Sequence, residues 1–389
     1  MLAYVGVFLA AAAAVAVVTP VIRRVAVRLG TIDRPSDRKV HPKPTPTGGG
    51  VGLLIGVAAG MGVAALVPSL RSAFRVGEEL QGTLLAALVI TAVGLIDDIV
   101  ALSAPAKIAG QVLAAGLLIL TGVELLFFWF PFGQGVIVVG SDLAVPLTVA
   151  WVVLMVNAVN LLDGLDGLAA GMVVIAAAAF FIYLYRGPTP FAESATSAKI
   201  LAAVTAGAAF GFLPHNSYPA RIFMGDSGSM LLGLLLASAT ISGVGRTVQP
   251  SGGDIAAFSI PVLIPAIVLA VPLLDVALAV IRRLRRGRPV FAPDKEHIHH
   301  QLQQIGHTHR RAVLIMYFWG VLAAGSALAI TYINGRLLVS GILAAAFLLM
   351  AATVVPARLR ERAQARRAQE LAAQGGSSAT QAAMPGRSS

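Results

Sequence analysis

Cysteine is absent from the 389 residues, which excludes disulfides, thiol nucleophiles and metal sites built on thiolates. Charge is nearly as scarce. Only 12% of residues are Asp, Glu, Lys or Arg, against about a quarter in a soluble domain, so the chain cannot clothe an ordinary solvated surface. Acid is the shorter side: 18 Asp and Glu against 29 Lys and Arg leave a net charge of +11. A balance of that size would suit a nucleic-acid binder, but the cations cluster between apolar runs, which is how a membrane protein fixes its orientation. Nucleic acid is therefore not expected as a partner. A His-Glu-x-x-His helix, a second histidine cluster with zinc spacing and a complete Walker loop are also missing. No internal repeat of the transporter kind is evident.

What is present is apolar sequence. It makes up 57% of the chain, the mean hydropathy is +0.83, and runs of about twenty apolar residues recur from end to end, the length needed to cross a bilayer as helix. The expected fold is an all-α polytopic membrane protein of about eleven spans at 3–22, 49–68, 81–97, 107–121, 146–162, 169–185, 198–214, 228–244, 258–281, 312–332 and 337–356. Arg23, Arg24 and Arg28 follow the first span rather than precede it, so it reads as a retained span with the N-terminus outside. Alternation then puts 23–47, with seven Lys and Arg, 282–311, with eight, and the tail from Arg358, with six, on the cytoplasmic side. Residues 1–356 read as one transmembrane domain. Residues 357–389 read as a basic, then low-complexity, disordered cytoplasmic tail.

Polar residues collect at the ends of these runs. Asn157-Ala-Val-Asn160-Leu-Leu-Asp163-Gly-Leu-Asp166-Gly167 closes one span with hydrogen-bonding side chains at every third position, nearly one face of a helix that opens into a glycine turn. Asp97-Asp98 closes another, where adjacent carboxylates want a cation or a proton. Arg221-Ile-Phe223-Met-Gly-Asp226-Ser227-Gly-Ser229 opens a third. Ser227 or Ser229 is placed to cap that helix, Asp226 to meet a hydrated metal, and Phe223 to stack on a base. Lys43, before a glycine run, and Lys107 are candidate anion contacts. His297, His299 and His300 follow Arg282 and Arg283 in a basic loop suited to phosphate or proton handling. The clusters at 33–50, 97–107, 157–167, 215–229 and 282–310 all fall on the cytoplasmic side, so five segments converge on one site.

Together these motifs resemble the polyprenyl-phosphate N-acetylhexosamine-1-phosphate transferases, glycosyltransferase family 4, which includes the bacterial translocase that makes lipid I. The matching pieces are His41-Pro-Lys43-Pro-Thr-Pro, Asp97-Asp98, the Asn157 to Gly167 run, Asn216 with Pro219 to Ser229, and His297-Ile-His299-His300. The resemblance implies transfer of a sugar-1-phosphate from a UDP-sugar to a membrane polyprenyl phosphate, undecaprenyl or decaprenyl, with release of UMP. It implies Mg²⁺, for which Mn²⁺ can substitute. Asp226, with Asp163, is implied as metal ligand, and Asn157, Asn160, Asp163, Asp166, Asn216, Phe223 and Lys43 as substrate contacts. Lys107, Arg282 and Arg283 are candidate substrate contacts by their charge alone, the two arginines being equally explained as an orientation signal. Asp97, Asp98, His297, His299 and His300 are implied in catalysis, with the division between the two Asp residues open. In the family the acidic pair often continues to a third Asp or Asn; Ala101 stands there instead. His-Pro-Lys-Pro-Thr-Pro and His-Ile-His-His resemble the GlcNAc-1-phosphate branch, which starts O-antigen, teichoic acid or arabinogalactan linkers. The lipid I branch carries three consecutive histidines, which are missing here. The expected partners are UDP-GlcNAc, polyprenyl phosphate and the bilayer of the bacterial plasma membrane, and a homodimer is compatible with the sequence. The alternatives are the muramoyl-pentapeptide transferase and, from another class, a secondary transporter; the latter would place its acids near the bilayer midplane.

Overall fold

The computed structural model describes residues 1–34, 43–75, 77–129, 136–138, 140–186, 195–244, 285 and 308–332. These residues form α1 (Leu2–Leu29), α2 (Gly49–Leu66), α3 (Glu79–Val100), α4 (Ala104–Leu120), α5 (Ser141–Leu162), α6 (Leu168–Arg186), α7 (Thr196–Asn216), α8 (Gly225–Val244) and α9 (His309–Tyr332). Among the described residues, seven helices are long and apolar enough to cross a membrane. The protein is a polytopic all-α membrane protein. Nine of the expected spans coincide with these helices. The spans at 258–281 and 337–356, the tail from 357, and Arg282, Arg283, His297, His299 and His300 lie outside the described residues.

The helix ends follow local chemistry. Gly30, at φ 74°, turns its N–H back onto the last carbonyls of α1, the left-handed stop that glycine makes cheaply. Ser103 in extended conformation and the proline behind it start α4, proline being suited to a first turn whose N–H groups have no helical partner. The stretch 127–146, irregular by sequence, holds a small antiparallel hairpin of β3 (Phe127–Trp129) and β4 (Val136–Val138). Its Phe-Phe-Trp and Val-Ile-Val runs are aromatic and β-branched, which suits a strand better than a helix. α5 consequently begins at Ser141 and carries Pro146 inside it. A second hairpin, β1 (Ile32–Asp33) against β2 (Thr45–Pro46), joins α1 to α2.

α8 is the central helix. It packs against α2, α3, α5, α6 and α7, and Met230, Leu231, Leu234, Leu235 and Ala237 are all buried. A helix that is apolar all round has no face to offer water and takes the middle of the bundle. Its first turn is wedged tightly between neighbours. A Cβ on Gly94 of α3 would lie 2.5 Å from the Ser227 backbone, so only glycine lets α3 come this close. On the other side the Gly49 and Gly50 amides donate to Phe223 and Met224 carbonyls at 3.0 Å, and the Phe223 amide donates to Pro46 at 2.8 Å. The glycine run that opens α2 thereby fastens the segment leading into α8.

Candidate active site

The C-terminal ends of α1, α3, α5 and α7 and the N-terminal ends of α2, α8 and α9 meet around one cavity of about 660 Å³. That is ample for a nucleotide-sized ligand. Its wall carries Asp33, Asp97, Asp98, Asp163, Asp166 and Asp226, together with Asn216, Phe223 and His309. Four of the five polar clusters seen in the sequence contribute, and the fifth is represented by His309.

Asp226 lies at the centre. Its Oδ1 accepts from Asn160 Nδ2 at 2.9 Å, and its Oδ2 accepts from Lys107 Nζ at 2.7 Å. The same ammonium lies 2.5 Å from Asp97 Oδ2. Asp97 is buried, and its Oδ1 takes the Leu102 amide at 2.7 Å, closing the turn in which Ala101 adopts a left-handed φ of 55°. Asn160 also donates to Ser229 Oγ at 2.9 Å. Lys107 and Asn160 act through Asp226 rather than as part of the cavity wall.

The sequence expectation for the cap of α8 needs correcting. The cap comes from α3: Asp98 Oδ1 accepts the Asp226 amide at 2.8 Å, and Oδ2 accepts the Ser227 hydroxyl at 2.8 Å and its amide at 3.4 Å. Ser227 and Ser229 are fully buried; the Ser229 hydroxyl turns back onto the Gly225 carbonyl at 3.0 Å, and that of Ser227 goes to Asp98. A carboxylate with two oxygens can satisfy successive orphan amides that a single serine hydroxyl cannot.

The Asp163 to Gly167 turn is the tight helix exit that the sequence suggested, and it is held from three sides. Asn216 Oδ1 accepts the Gly167 amide at 3.1 Å while its Nδ2 donates to the Ile222 carbonyl at 3.1 Å. Asp166 Oδ2 accepts the Ala220 amide at 2.9 Å. Tyr317 of α9 donates to the Gly167 carbonyl. Asp163, just beyond α5, keeps only part of its surface exposed. Loss of solvent holds its carboxyl well above the usual range, with repulsion from Asp226, Asp98 and Asp166 adding to the shift.

Two expected contacts stand elsewhere. Asn157 donates to Gln111 Oε1 and to the Val153 carbonyl, both at 2.7 Å, tying α5 to α4 away from the cavity wall. Lys43 is exposed beside β2 and is not a wall residue. Asp33, Thr31, Thr47 and His309 are wall residues that the motif reading did not select. Asp33 lay inside the polar cluster at 33–50. His309, stacked on Tyr218 at 4.5 Å, had only its place near the basic loop to mark it.

The residue types fit a magnesium ion. The wall offers oxygen donors, and among the described residues no group of three or more His, Asp or Glu is spaced to enclose a metal by itself. Mg²⁺ takes one or two carboxylates and completes its shell with water and phosphate oxygens, a demand that the carboxylates of this wall are of the right type to meet.

The family model described as glycosyl transferase family 4 matches residues 80–244. A decaprenyl-phosphate N-acetylglucosaminephosphotransferase from Mycobacterium leprae is 42% identical over 339 residues, covering 85% of this chain and 84% of the relative. The chain belongs to glycosyl transferase family 4. Within that family it is also 37% identical over 330 residues to a probable undecaprenyl-phosphate N-acetylglucosaminyl 1-phosphate transferase from Bacillus subtilis, covering 85% of this chain and 86% of the relative. A phospho-N-acetylmuramoyl-pentapeptide-transferase from Desulforudis audaxviator is 34% identical over 314 residues, covering 75% of this chain and 86% of the relative. The family match begins in α3 and ends with α8, so it takes in Asp97, Asp98, the Asp163 turn and Asp226.

Proposed function

We propose that the protein transfers GlcNAc-1-phosphate from UDP-GlcNAc to a membrane polyprenyl phosphate, undecaprenyl or decaprenyl, and releases UMP. The observation that carries this reading is the acidic cavity at one end of the bundle, where Asp226, Asp163, Asp97 and Lys107 converge. The identity of 42% and 37% to the N-acetylglucosamine enzymes from Mycobacterium leprae and Bacillus subtilis, against 34% to the muramoyl-pentapeptide enzyme, supports the choice of sugar. Arg23, Arg24 and Arg28 at the cavity end of α1 support a cytoplasmic active site in the plasma membrane. Carboxylates gathered at helix ends fit poorly with transport through the bilayer midplane.

In the reaction an oxygen of the polyprenyl phosphate attacks the β-phosphorus of UDP-GlcNAc. The bond from that phosphorus to the bridging oxygen breaks, and the electron pair leaves with UMP. The attacking phosphate is largely dianionic near neutral pH, its second pKa being about 6, so the larger task is to bring two anions together. Mg²⁺ held by Asp226 and Asp163 would neutralise pyrophosphate charge. Lys107 supplies the protein's own positive charge beside Asp97 and Asp226, and Phe223 offers an aromatic face for the uracil.

Purified protein with polyprenyl phosphate and Mg²⁺ should form polyprenyl-diphosphate-GlcNAc from UDP-GlcNAc, detectable by mass spectrometry, and Asp226→Asn should abolish it. Product from UDP-MurNAc-pentapeptide instead would move the protein to the lipid I reaction.

A further inference from the structure

We infer that the two adjacent aspartates have different tasks, and that Asp98 is a positioning residue that sets Asp226 by capping α8 from outside. This rests on the metal-assisted transfer proposed above. Both oxygens of Asp98 are committed to the first turn of α8: one holds the Asp226 amide, and the other holds the hydroxyl and amide of Ser227. The contact is close as well as polar. A Cβ on Gly225 would come within 2.4 Å of Asp98 Oδ2 and 2.6 Å of Oδ1, and Gly225 has a φ of 69°, so glycine is required there for space and for conformation.

The first amides of a helix lack intrahelical acceptors, and an anion placed against them also meets the positive end of the helix dipole. Asp98 therefore fixes where the backbone of Asp226 stands, while Asn160 and Lys107 fix where its carboxylate points. Asp97 differs in kind. Its Oδ1 closes its own helix end on the Leu102 amide, and its Oδ2 faces the ammonium of Lys107, which it shares with Asp226. Of the pair, Asp97 is the one joined to the cation of the site, and Asp98 is part of the frame.

The test separates a frame from a proton acceptor. Mn²⁺ binding to the purified protein, titrated alone by electron paramagnetic resonance, should weaken about tenfold in Asp98→Asn, which retains one acceptor oxygen, and further in Asp98→Ala. Residual activity in Asp98→Asn should recover with excess metal and keep the wild-type shape of its pH profile. Ser227→Ala leaves the carboxylate intact and removes one of its donors. It should weaken Mn²⁺ binding severalfold by the same route, and as a milder change it guards against a variant that fails to fold. Wild-type Mn²⁺ affinity in both Asp98→Asn and Ser227→Ala, or loss of one ionisation limb in Asp98→Asn, would overturn the assignment. Wild-type protein that binds no Mn²⁺ and makes no lipid product would instead overturn the proposed function.

Discussion

Lys107 holds two carboxylates from separate helices at once: its Nζ lies 2.5 Å from Asp97 Oδ2 and 2.7 Å from Asp226 Oδ2. α3 and α8 thus share one cation at the point where they enter the cavity. Without it, two acids face each other in a site with little solvent, a costly arrangement. Lys107→Met should cut turnover by about a hundredfold or more, in the range seen when a preorganised charge is removed from an active site. Lys107→Arg should not restore it, because a planar guanidinium cannot occupy the position of a compact ammonium between two oxygens. Steady-state rates of the two variants check this.

Asn157 is expected to matter for stability rather than for substrate. Its amide satisfies Gln111, which is 1% exposed, so Asn157→Leu strands a buried polar group at a cost of about 1–3 kcal/mol. The double variant Asn157→Leu, Gln111→Leu should regain most of the lost thermal stability, and both proteins should keep the wild-type KM for the sugar nucleotide. A raised KM with unchanged stability would return Asn157 to the substrate site.

Much of the site could be read from the chain because membrane burial leaves polar residues few reasons to exist. Asp97, Asp163 and Asp226 each end or begin an apolar run, and alternation brings those ends to one side. The capping role of Asp98 was hidden for a physical reason. A cap donated from another helix depends on a tertiary approach through Gly94 and Gly225, whereas Ser227 and Ser229 supply the local pattern that a sequence displays. Asn157 shares its spacing with Asn160 and Asp163, but a three-residue step drifts around the helix by about 60° each time, and its amide meets Gln111 of α4. The place of His309, whose ring stacks on Tyr218, also arises from packing between distant segments.

The turn that carries Asp163 should owe its order to Asn216, which is 1% exposed and spends both ends of its amide on backbone groups. Asn216→Ala should lower stability by about 1–3 kcal/mol and speed amide exchange at Leu165 to Leu168. Exchange measured by mass spectrometry, unchanged in that peptide, would show that the turn is held by other means.

Metal-free protein should become less stable as pH rises from about 4 toward neutrality. The Asp163 carboxyl holds its proton more tightly in the folded protein than in the unfolded chain, where its pKa is about 3.9. The folded state is then the stronger proton binder, and raising the pH through the interval between the two values removes stability. Asp163→Asn should flatten this part of the profile. Added Mg²⁺ should stabilise wild-type protein more at the upper end of the range, where the carboxylate is ionised and open to the ion. Thermal unfolding in detergent across that range, with and without the metal, is the measurement.

The central claim is that the sugar crosses to the lipid together with its phosphate. UDP-GlcNAc labelled with ³²P at the β-phosphate, incubated with purified protein, polyprenyl phosphate and Mg²⁺, decides it in one extraction. The label is predicted to pass into the organic phase with the lipid while the uridine stays in water as UMP. Label that remains in water as UDP while the sugar alone moves, or that fails to move at all, would contradict the account.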